Sequence, residues 1–267
     1  MRLIWLSLIL VSGLIGAFER LPLLPNLVAL GMTQFGPGRT SAHFLSHPAS
    51  LASSTSLNTA AFYGKPFSLT DLSNAGAVIS APWRYGNVGI GFYSAGNKLY
   101  GETTFALGLG RRLGQHLDFG LLLAGHELSI VNYGSQKTVS LSASIAFDIQ
   151  ESVTWSMLYQ NLNAPRIGAS DELLPQVIVT GFSFTPSSQM SAIAEFEKDL
   201  QFDSRYKFGL QWKPIESFTV MTGFATSPTQ VTAGIRLKII GQEISYAIAN
   251  HPELNLSHIL ALTFSLP

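Results

Sequence analysis

The amino-acid sequence predicts an all-β fold, an antiparallel transmembrane β-barrel of about 14 strands. From residue 57 to residue 266 the chain repeats a stretch of about ten residues in which apolar residues alternate with polar or small ones, followed by a turn. A strand of about ten residues is long enough to cross a bilayer, and only a closed ring of strands satisfies its backbone in lipid. An apolar amino-terminal segment typical of export precedes the repeat.

The composition limits the classes of function. Of the 267 residues 12% are charged, and 16 Lys and Arg balance 16 Asp and Glu. A chain without net charge lacks the basic face that nucleic acid requires, so no nucleic-acid partner is expected. The absence of cysteine excludes disulfides, cysteine zinc sites and a thiol nucleophile. After the amino terminus no apolar run approaches the roughly 20 residues of a spanning helix.

Residues 1–17 have the form of a secretory signal peptide. Arg2 supplies a positive charge, a run rich in Leu, Ile and Val follows, and Gly16 and Ala17 are small. Ile15 lies three positions before a cut after Ala17, so the cleavage motif departs from the small-x-small form. A retained membrane anchor is the alternative. We assign this segment to the signal peptide and exclude it from the fold.

Residues 18–55 differ from the repeat that follows. The lead Leu21–Pro25 is extended and broken by proline, and Phe35–Gly38 is a turn. Residues 40–47 predict a short capped helix that ends at Pro48. This piece is too small to form a core of its own, so we expect it to fold into the lumen as a plug.

The transmembrane barrel is assigned to residues 56–267. Its clearest strand is Arg205–Lys213, in which aromatic and apolar side chains share one face and charged or polar ones the other. A helix would scatter these residues around its circumference. The 14 predicted strands are residues 56–64, 73–82, 87–94, 101–112, 117–128, 137–148, 153–162, 175–185, 189–199, 204–213, 217–226, 229–240, 242–250 and 256–266.

The connections between predicted strands alternate in length. The expected short periplasmic turns are Pro82–Gly86, Leu113–His116, Ile149–Ser152, Pro186–Ser188, Pro214–Glu216 and Gly241. The other set contains the longer loops Lys65–Leu72, Ala95–Tyr100, Ser129–Gln136, Asn163–Leu174 and His251–Asn255, and two short connections near Asp203 and Ser227. This alternation favours a barrel in the outer membrane of a Gram-negative-type bacterium, surrounded by outer-membrane lipid, over a soluble β-sandwich.

If the apolar face meets lipid, the polar face lines the lumen, and Trp and Tyr near strand ends form interfacial girdles. A charged patch is then predicted in the lumen, with an acidic strand beside a basic one across a tight turn. The patch is either a constriction that tunes what passes or an ion-pair network that fills the barrel. Its members are Glu195, Glu197, Asp199, Arg205, Lys207, Arg236 and Lys238.

No catalytic residue, metal site or cofactor is predicted. His43 and His47 are four residues apart, but they adjoin a proline and lack an acidic neighbour. Ser257 and His258, beside Asn255, resemble the parts of a nucleophile-and-base set, but adjacent strand residues point to opposite faces. The sequence therefore predicts a protein that is not an enzyme.

A series of motifs, taken in order, resembles the PorV/PorQ-type outer-membrane proteins of Bacteroidetes-type bacteria, within the FadL-like superfamily of long-chain fatty-acid transporters. The first is His47–Ala52, including His47, Pro48 and Ala49, where the family typically shows Asn-Pro-Ala-Gly-Leu-Ala. The others are Leu99–Glu102 leading into Ala106–Arg111, Tyr159–Pro165, Leu174–Pro175, Val179–Ser183, Glu195–Asp199 and Leu256–His258.

This resemblance implies a 14-stranded outer-membrane barrel with its amino-terminal plug inside. It also implies a role in protein secretion or surface assembly of the type IX kind, with secreted proteins or secretion-system components as partners. The alternative is a passive transporter or channel for small hydrophobic solutes such as fatty acids. On the resemblance alone, the secretion role is ranked first.

Overall fold

The structure is a computed structural model that describes Phe18, residues 24–168 and residues 171–266. Fourteen antiparallel strands form one closed barrel in which the last strand pairs with the first. The predicted all-β barrel is therefore confirmed. The predicted signal peptide lies outside the described residues and stays a prediction. In the part of the chain that the structure describes, no helix has the length and apolar character of a membrane span.

The elements follow the predicted order. The strands are β1 (Leu57–Lys65), β2 (Asn74–Trp83), β3 (Gly86–Gly96), β4 (Tyr100–Leu113), β5 (Leu117–Ile130), β6 (Gly134–Gln150), β7 (Val153–Gln160), β8 (Arg166–Ile167), β9 (Glu172–Leu173), β10 (Val177–Phe184), β11 (Met190–Asp199), β12 (Arg205–Ile215), β13 (Phe218–Ala225), β14 (Gln230–Ile239), β15 (Gln242–Ala249) and β16 (Ser257–Leu266). The helices are α1 (Pro25–Ala29) and 3-10 turns at Ser41–His43, Pro48–Ser53, Pro66–Ser68 and Thr70–Leu72. Strands β8 and β9 form a small hairpin outside the barrel sheet.

Side chains alternate between two faces along the barrel strands. On β4, Phe105 and Leu107 are exposed, whereas Ala106 between them is buried. An exposed band of aromatic and aliphatic side chains is what a surface in contact with lipid requires. Trp83 and Tyr85 are exposed beside the β2–β3 turn, in the position predicted for an interfacial girdle.

The connections meet at two ends of the barrel. Those after β2, β4, β6, β10, β12 and β14 are short and lie at one end, which we call the turn end. Those after β1, β3, β5, β7, β11, β13 and β15 lie at the other, which we call the loop end. Short turns are typical of the periplasmic side, so the turn end corresponds to the predicted periplasmic face.

For two of the connections the prediction of a longer loop is wrong. Strands β3 to β6 continue into Ala95–Tyr100 and Ser129–Gln136, and only residues 97–99 and 131–133 remain as connections. The cause is the unbroken ladder between β5 and β6, which extends from the turn end to the Ile130–Gly134 pair and satisfies the backbone without a loop. Alternation in loop length is therefore weaker than predicted.

Residues 24–55 fill the inside of the barrel, and we call them the plug. They contact inward-facing residues of strands on all sides of the ring, which is possible only from the lumen. Hydrogen bonds that link the plug to different strands are Ser41–Ser80 on β2, Ala49–Ser144 on β6, Gln34–Glu195 on β11 and Gly31–Thr232 on β14.

Small inward-facing residues make room for the plug. A Cβ atom at Gly89 or Gly108 would lie 2.9 or 2.7 Å from the Phe44 ring, so glycine is what allows this ring to reach the wall. Phe44 packs with Leu51 and Phe62 in one buried apolar cluster, while α1 packs in a second. The lumen face is therefore less polar than predicted, because much of it contacts the plug rather than water.

Replacing Gly120 with Ala should loosen the plug. A Cβ atom there would collide with the backbone of Pro48 and Ala49, whereas one at Gly125 on the same strand would meet nothing within 4 Å. We expect Gly120→Ala to make plug docking less favourable by about 1–3 kcal/mol, the usual cost of overpacking. Hydrogen exchange of the plug amides measures this. Equal protection in Gly120→Ala and the control Gly125→Ala would contradict the packing described here.

Candidate functional site

Among the described residues, two cavities inside the barrel adjoin the plug. The loop-end cavity has a volume of about 100 Å³ and is mainly apolar. The side chains that make it so include Leu45, Ala106, Leu122, Ala124 and Leu158. The turn-end cavity has a volume of about 700 Å³ and is lined mostly by polar and charged residues. The lumen therefore has an apolar compartment toward the loops and a polar one toward the turns.

A short stretch of the plug separates the two cavities. Leu45 and Ser46 line the loop-end cavity, while His43 and His47 line the turn-end cavity. We call residues 43–47 the partition. A solute that crosses the lumen from one cavity to the other must displace this stretch.

The loop end is covered by side chains that fold inward. Phe18, Leu128, Ile167 and Leu174 form a buried apolar cluster. Ile167 belongs to the β8–β9 hairpin. The two ends of the loop that carries this hairpin are joined by a hydrogen bond of 2.7 Å from the Asn161 side chain to the Pro175 carbonyl. The loop-end cavity is therefore covered by apolar groups, through which an apolar solute can pass at lower cost than a polar one.

The loop-end cavity also contains hydrogen-bonding groups. The His126 ring lies 2.9 Å from the Thr104 hydroxyl through Nδ1 and 2.8 Å from the Ser140 hydroxyl through Nε2. These residues come from β4, β5 and β6, and all three line the cavity. The Phe18 ring centroid is 4.8 Å from that of His126. This group was not predicted from the sequence, because it depends on the register of three strands.

The predicted charged patch holds the plug. Glu195 is buried and accepts hydrogen bonds from the backbone N–H groups of Gln34 at 2.9 Å and Phe35 at 2.7 Å. Lys207 donates to the Met32 carbonyl at 2.7 Å. These side chains therefore contact the plug rather than surround an open passage.

The remaining members of the patch extend toward the loop end. The Lys207 ammonium lies 2.6 Å from a carboxylate oxygen of Glu197, and Arg205 lies 3.9 Å from the same carboxylate. Asp199 accepts from the backbone N–H of Gln201 at 2.9 Å, next to the connection between β11 and β12. In the ladder between β11 and β12, Glu195 lies opposite Lys207 and Glu197 lies opposite Arg205.

The prediction that Arg236 and Lys238 extend this basic side is wrong. Lys207 lies opposite Ala225, which lies opposite Gln230 on β14. Arg236 is six residues beyond Gln230, or about 20 Å along the strand toward the turn end. There Arg236 approaches Glu243 at 3.6 Å, and Lys238 lies opposite Glu243 in the ladder. Alternation predicts the face of a residue but not its height in the barrel.

A second charged group, which was not predicted, clamps the plug at the turn end. Arg39 binds Asp118 and lies 2.6 Å from both carboxylate oxygens of Asp148. Arg112 adds a bond of 2.7 Å to Asp118, which is fully buried. We call these four residues the Arg39 cluster. A signal was present in the sequence, since a lone aspartate at an inward position of the apolar strand β5 requires a partner.

The predicted plug motif His47, Pro48 and Ala49 packs on β5 and β6. Pro48 and Ala49 pack against Gly120, and the Ala49 N–H donates to Ser144 at 2.8 Å. The His47 ring packs on that of Phe35, with centroids 4.8 Å apart. Neither ring nitrogen of His47 has a hydrogen-bond partner among the described residues.

Both histidines of the partition are neutral at neutral pH. Burial, with smaller contributions from His43 and Arg39, lowers the pKa of His47 to about 3. Burial and the nearby charge of Arg236 lower the pKa of His43 to about 4. Within the described ranges no group of three His, Asp, Glu or Cys residues is arranged to hold a metal ion.

Comparisons with protein-family models and with curated proteins find no match. Solved structures share the fold. The toluene transporter TbuX of Ralstonia pickettii has a TM-score of 0.67 and 11% identity, over 92% of this chain and 99% of its own. The toluene transporter TodX of Pseudomonas putida has a TM-score of 0.68 and 11% identity, over 93% and 98%. The monoaromatic hydrocarbon channel CymD has a TM-score of 0.67 and 10% identity, over 91% and 97%.

At such low identity these comparisons establish a shared fold. The neighbours are described as transporters and channels, and the likeness to them covers the barrel fold. The narrower PorV/PorQ resemblance has no support among them.

Arg39→Gln should release the turn end of the plug. It leaves Asp118, which is 0% exposed, with Arg112 as its remaining cation. We expect docking to weaken by about 2 kcal/mol, measured as hydrogen exchange of plug amides. In the matched control Arg166→Gln, the broken pair with Asp171 is 54% and 74% exposed, so the expected loss is about 0–1 kcal/mol. Indistinguishable variants would contradict a clamping role for Arg39.

Acid should undock the partition. Docking lowers the pKa of His43 and His47 below the value of about 6.5 that a solvated ring has. Above pH 6.5 the two rings are already neutral, so docking carries no cost of deprotonation. As the pH falls toward 4, each ring must lose a proton to dock, which weakens docking by about 2 kcal/mol per ring at pH 5. Protection factors of plug amides at pH 7 and pH 5 measure this. The double variant His43→Asn, His47→Asn should lose most of this decrease in protection, and His251→Asn in an exposed loop should keep it.

Proposed function

We propose that this protein is a passive channel for small hydrophobic solutes in the outer membrane of a Gram-negative-type bacterium. The observation that carries the proposal is the apolar loop-end cavity, which the partition divides from a larger polar cavity. A fold shared with toluene transporters and a monoaromatic hydrocarbon channel supports the same solute class.

The proposed route passes through the lumen. A lateral exit beside the loop-end cavity would require a break in the wall, but the ladders joining β3, β4, β5 and β6 have no register shift. The shifts in the described ladders lie between Trp212 and Ile215 and between Asp148 and Gln150, both near the turn end. A solute that enters at the loop end therefore proceeds past the partition.

The binding that the loop-end cavity can give a solute is weak, which suits passage rather than storage. A solute ring that buries about 200 Å² gains about 5 kcal/mol from the removal of apolar surface from water. Association costs at least about 4 kcal/mol in lost freedom of motion. The net binding is weak, so a bound solute is released readily.

The plug is held by charged contacts on both sides of its Gly36–Gly38 turn and by apolar packing at the partition. Residues 32–35 are bonded to Glu195 and Lys207, and Arg39 is bonded to two aspartates. Within the partition, both ring nitrogens of His47 lack partners in the described structure. Displacing the partition therefore breaks no ion pair among the described residues, and it requires the Phe44 ring to leave its apolar cluster.

The secretion role, ranked first from the sequence, depends on the PorV/PorQ resemblance. The comparisons favour the transport alternative, and none supports secreted proteins or secretion-system components as partners. A small hydrophobic ligand is accordingly the partner that we propose.

Cells that express this protein, in a strain without other hydrocarbon channels, should take up labelled toluene faster than cells with the empty vector. Whole cells are used because a bare phospholipid bilayer is itself permeable to toluene. Leu45→Trp, which fills the loop-end cavity, should reduce the rate at least about tenfold, the effect of about 1.4 kcal/mol on the barrier. The lipid-facing control Leu107→Trp should keep the rate of the natural protein.

Uptake at the vector level, with the protein present in the outer membrane, would overturn the channel proposal. A changed surface proteome in a deletion strain, together with that result, would favour the secretion role. Full uptake by Leu45→Trp would show that the loop-end cavity is not on the route.

A further inference from the structure

The polar group in the loop-end cavity is built from three neighbouring strands. Thr104 and His126 lie opposite each other on β4 and β5, and Ser140 is on β6. The two hydroxyls flank the imidazole ring, one at each nitrogen. Most of the exposed wall around them is apolar, with Phe18 and Leu122 facing the same space, and Ser46, Ser142, Gln160 and Asn161 also line it. A solute in the cavity therefore meets a connected polar group of three side chains on a mainly apolar wall.

The protonation of this group determines what it offers a ligand. Among the described residues no carboxylate lies within ion-pair distance of His126, and a charged ring in an apolar cavity would be costly, so the ring is neutral. A neutral imidazole has one N–H donor and one acceptor nitrogen. One hydroxyl therefore accepts from the ring while the other donates to it.

Each hydroxyl then has capacity that the ring does not use. The hydroxyl that accepts from His126 keeps its own O–H free to donate, and the hydroxyl that donates keeps its lone pairs free to accept. The tautomer of the ring can exchange these two roles. The group can thus serve either a donor or an acceptor on a ligand, while a bare hydrocarbon leaves its internal hydrogen bonds intact.

We propose that Thr104, His126 and Ser140 select aromatic solutes that carry a single hydroxyl or carbonyl group over bare hydrocarbons of the same size. This inference deepens the proposed function and rests on it. The cavity of about 100 Å³ approaches the ~150 Å³ of a cavity that binds benzene, so one ring fits after a small displacement of a lining side chain such as Leu45. One net hydrogen bond predicts a preference of about 3- to 10-fold.

The test compares 4-fluorophenol with 4-fluorotoluene, two probes of nearly equal size that differ in a hydroxyl or a methyl group. Binding to the full purified chain in detergent is followed by fluorine NMR and corrected for partition into micelles without protein. The natural chain should bind 4-fluorophenol about 3- to 10-fold more tightly. In the double variant Thr104→Val, Ser140→Ala the ratio should fall to about 1, with 4-fluorotoluene affinity unchanged.

Thr103→Val is the matched control, because alternation places Thr103 on the opposite face of β4. It should keep the natural preference. If the double variant does not fold, as judged by circular dichroism, Thr104→Val alone replaces it and should lower the ratio. A double variant that keeps the preference would show that the group only joins the strands, and would overturn the inference.

The outcomes separate this inference from the proposed function. Binding of both probes with equal affinity by the natural chain overturns the selectivity and leaves the channel proposal standing. Binding of neither probe overturns the selectivity, whereas the channel proposal is overturned by toluene uptake at the vector level. A preference for 4-fluorophenol that the double variant loses supports the inference.

Discussion

A barrel of 14 strands encloses more space than its own inward side chains fill, and the interior of this protein is organised by how the plug occupies that space. Glycines at inward positions of β3 and β4 leave room for Phe44, and Gly120 at an inward position of β5 leaves room for the backbone of Pro48. The plug leaves two cavities, one apolar and one polar, with the partition between them. The proposed function follows from that division, because an apolar solute finds a compartment at the loop end and a movable barrier beyond it.

The charges inside the barrel are arranged around the plug rather than around a pore. Glu195 and Asp118 are buried acids on strands four places apart in the ring, and both obtain hydrogen-bond donors from the plug. A buried carboxylate without such donors is costly, so each of these residues couples the wall to the plug. The two clamps hold residues 32–39, and the partition that follows is free of ion pairs among the described residues. Rigid anchoring beside a less constrained stretch is the arrangement that gating requires.

The strands could be predicted because alternation is a local signal, and the pattern from Tyr206 to Trp212 shows it without knowledge of partners. The height of Arg236 in the barrel could not be predicted, because it depends on the register of three ladders between β11 and β14. The Thr104, His126 and Ser140 group escaped prediction for the same reason, whereas the Arg39 cluster also depends on where the plug docks. The inward glycines were a readable signal, since side chains absent from one face of β3 and β4 imply that something else fills the space. The secretion role drew on the order of weak motifs, which carries no geometric information about a site.

The central claim, that solutes pass by displacement of the partition, is tested most directly by a reversible lock. The chain has no cysteine, so a single engineered disulfide is unambiguous. Ser41 in the plug and Ser80 on β2 have hydroxyl oxygens 2.8 Å apart, and neither lines the loop-end or the turn-end cavity. With Ser41→Cys and Ser80→Cys, oxidation should reduce toluene uptake to the vector level, and reduction should restore it. Undiminished uptake with the disulfide fully formed would contradict the account.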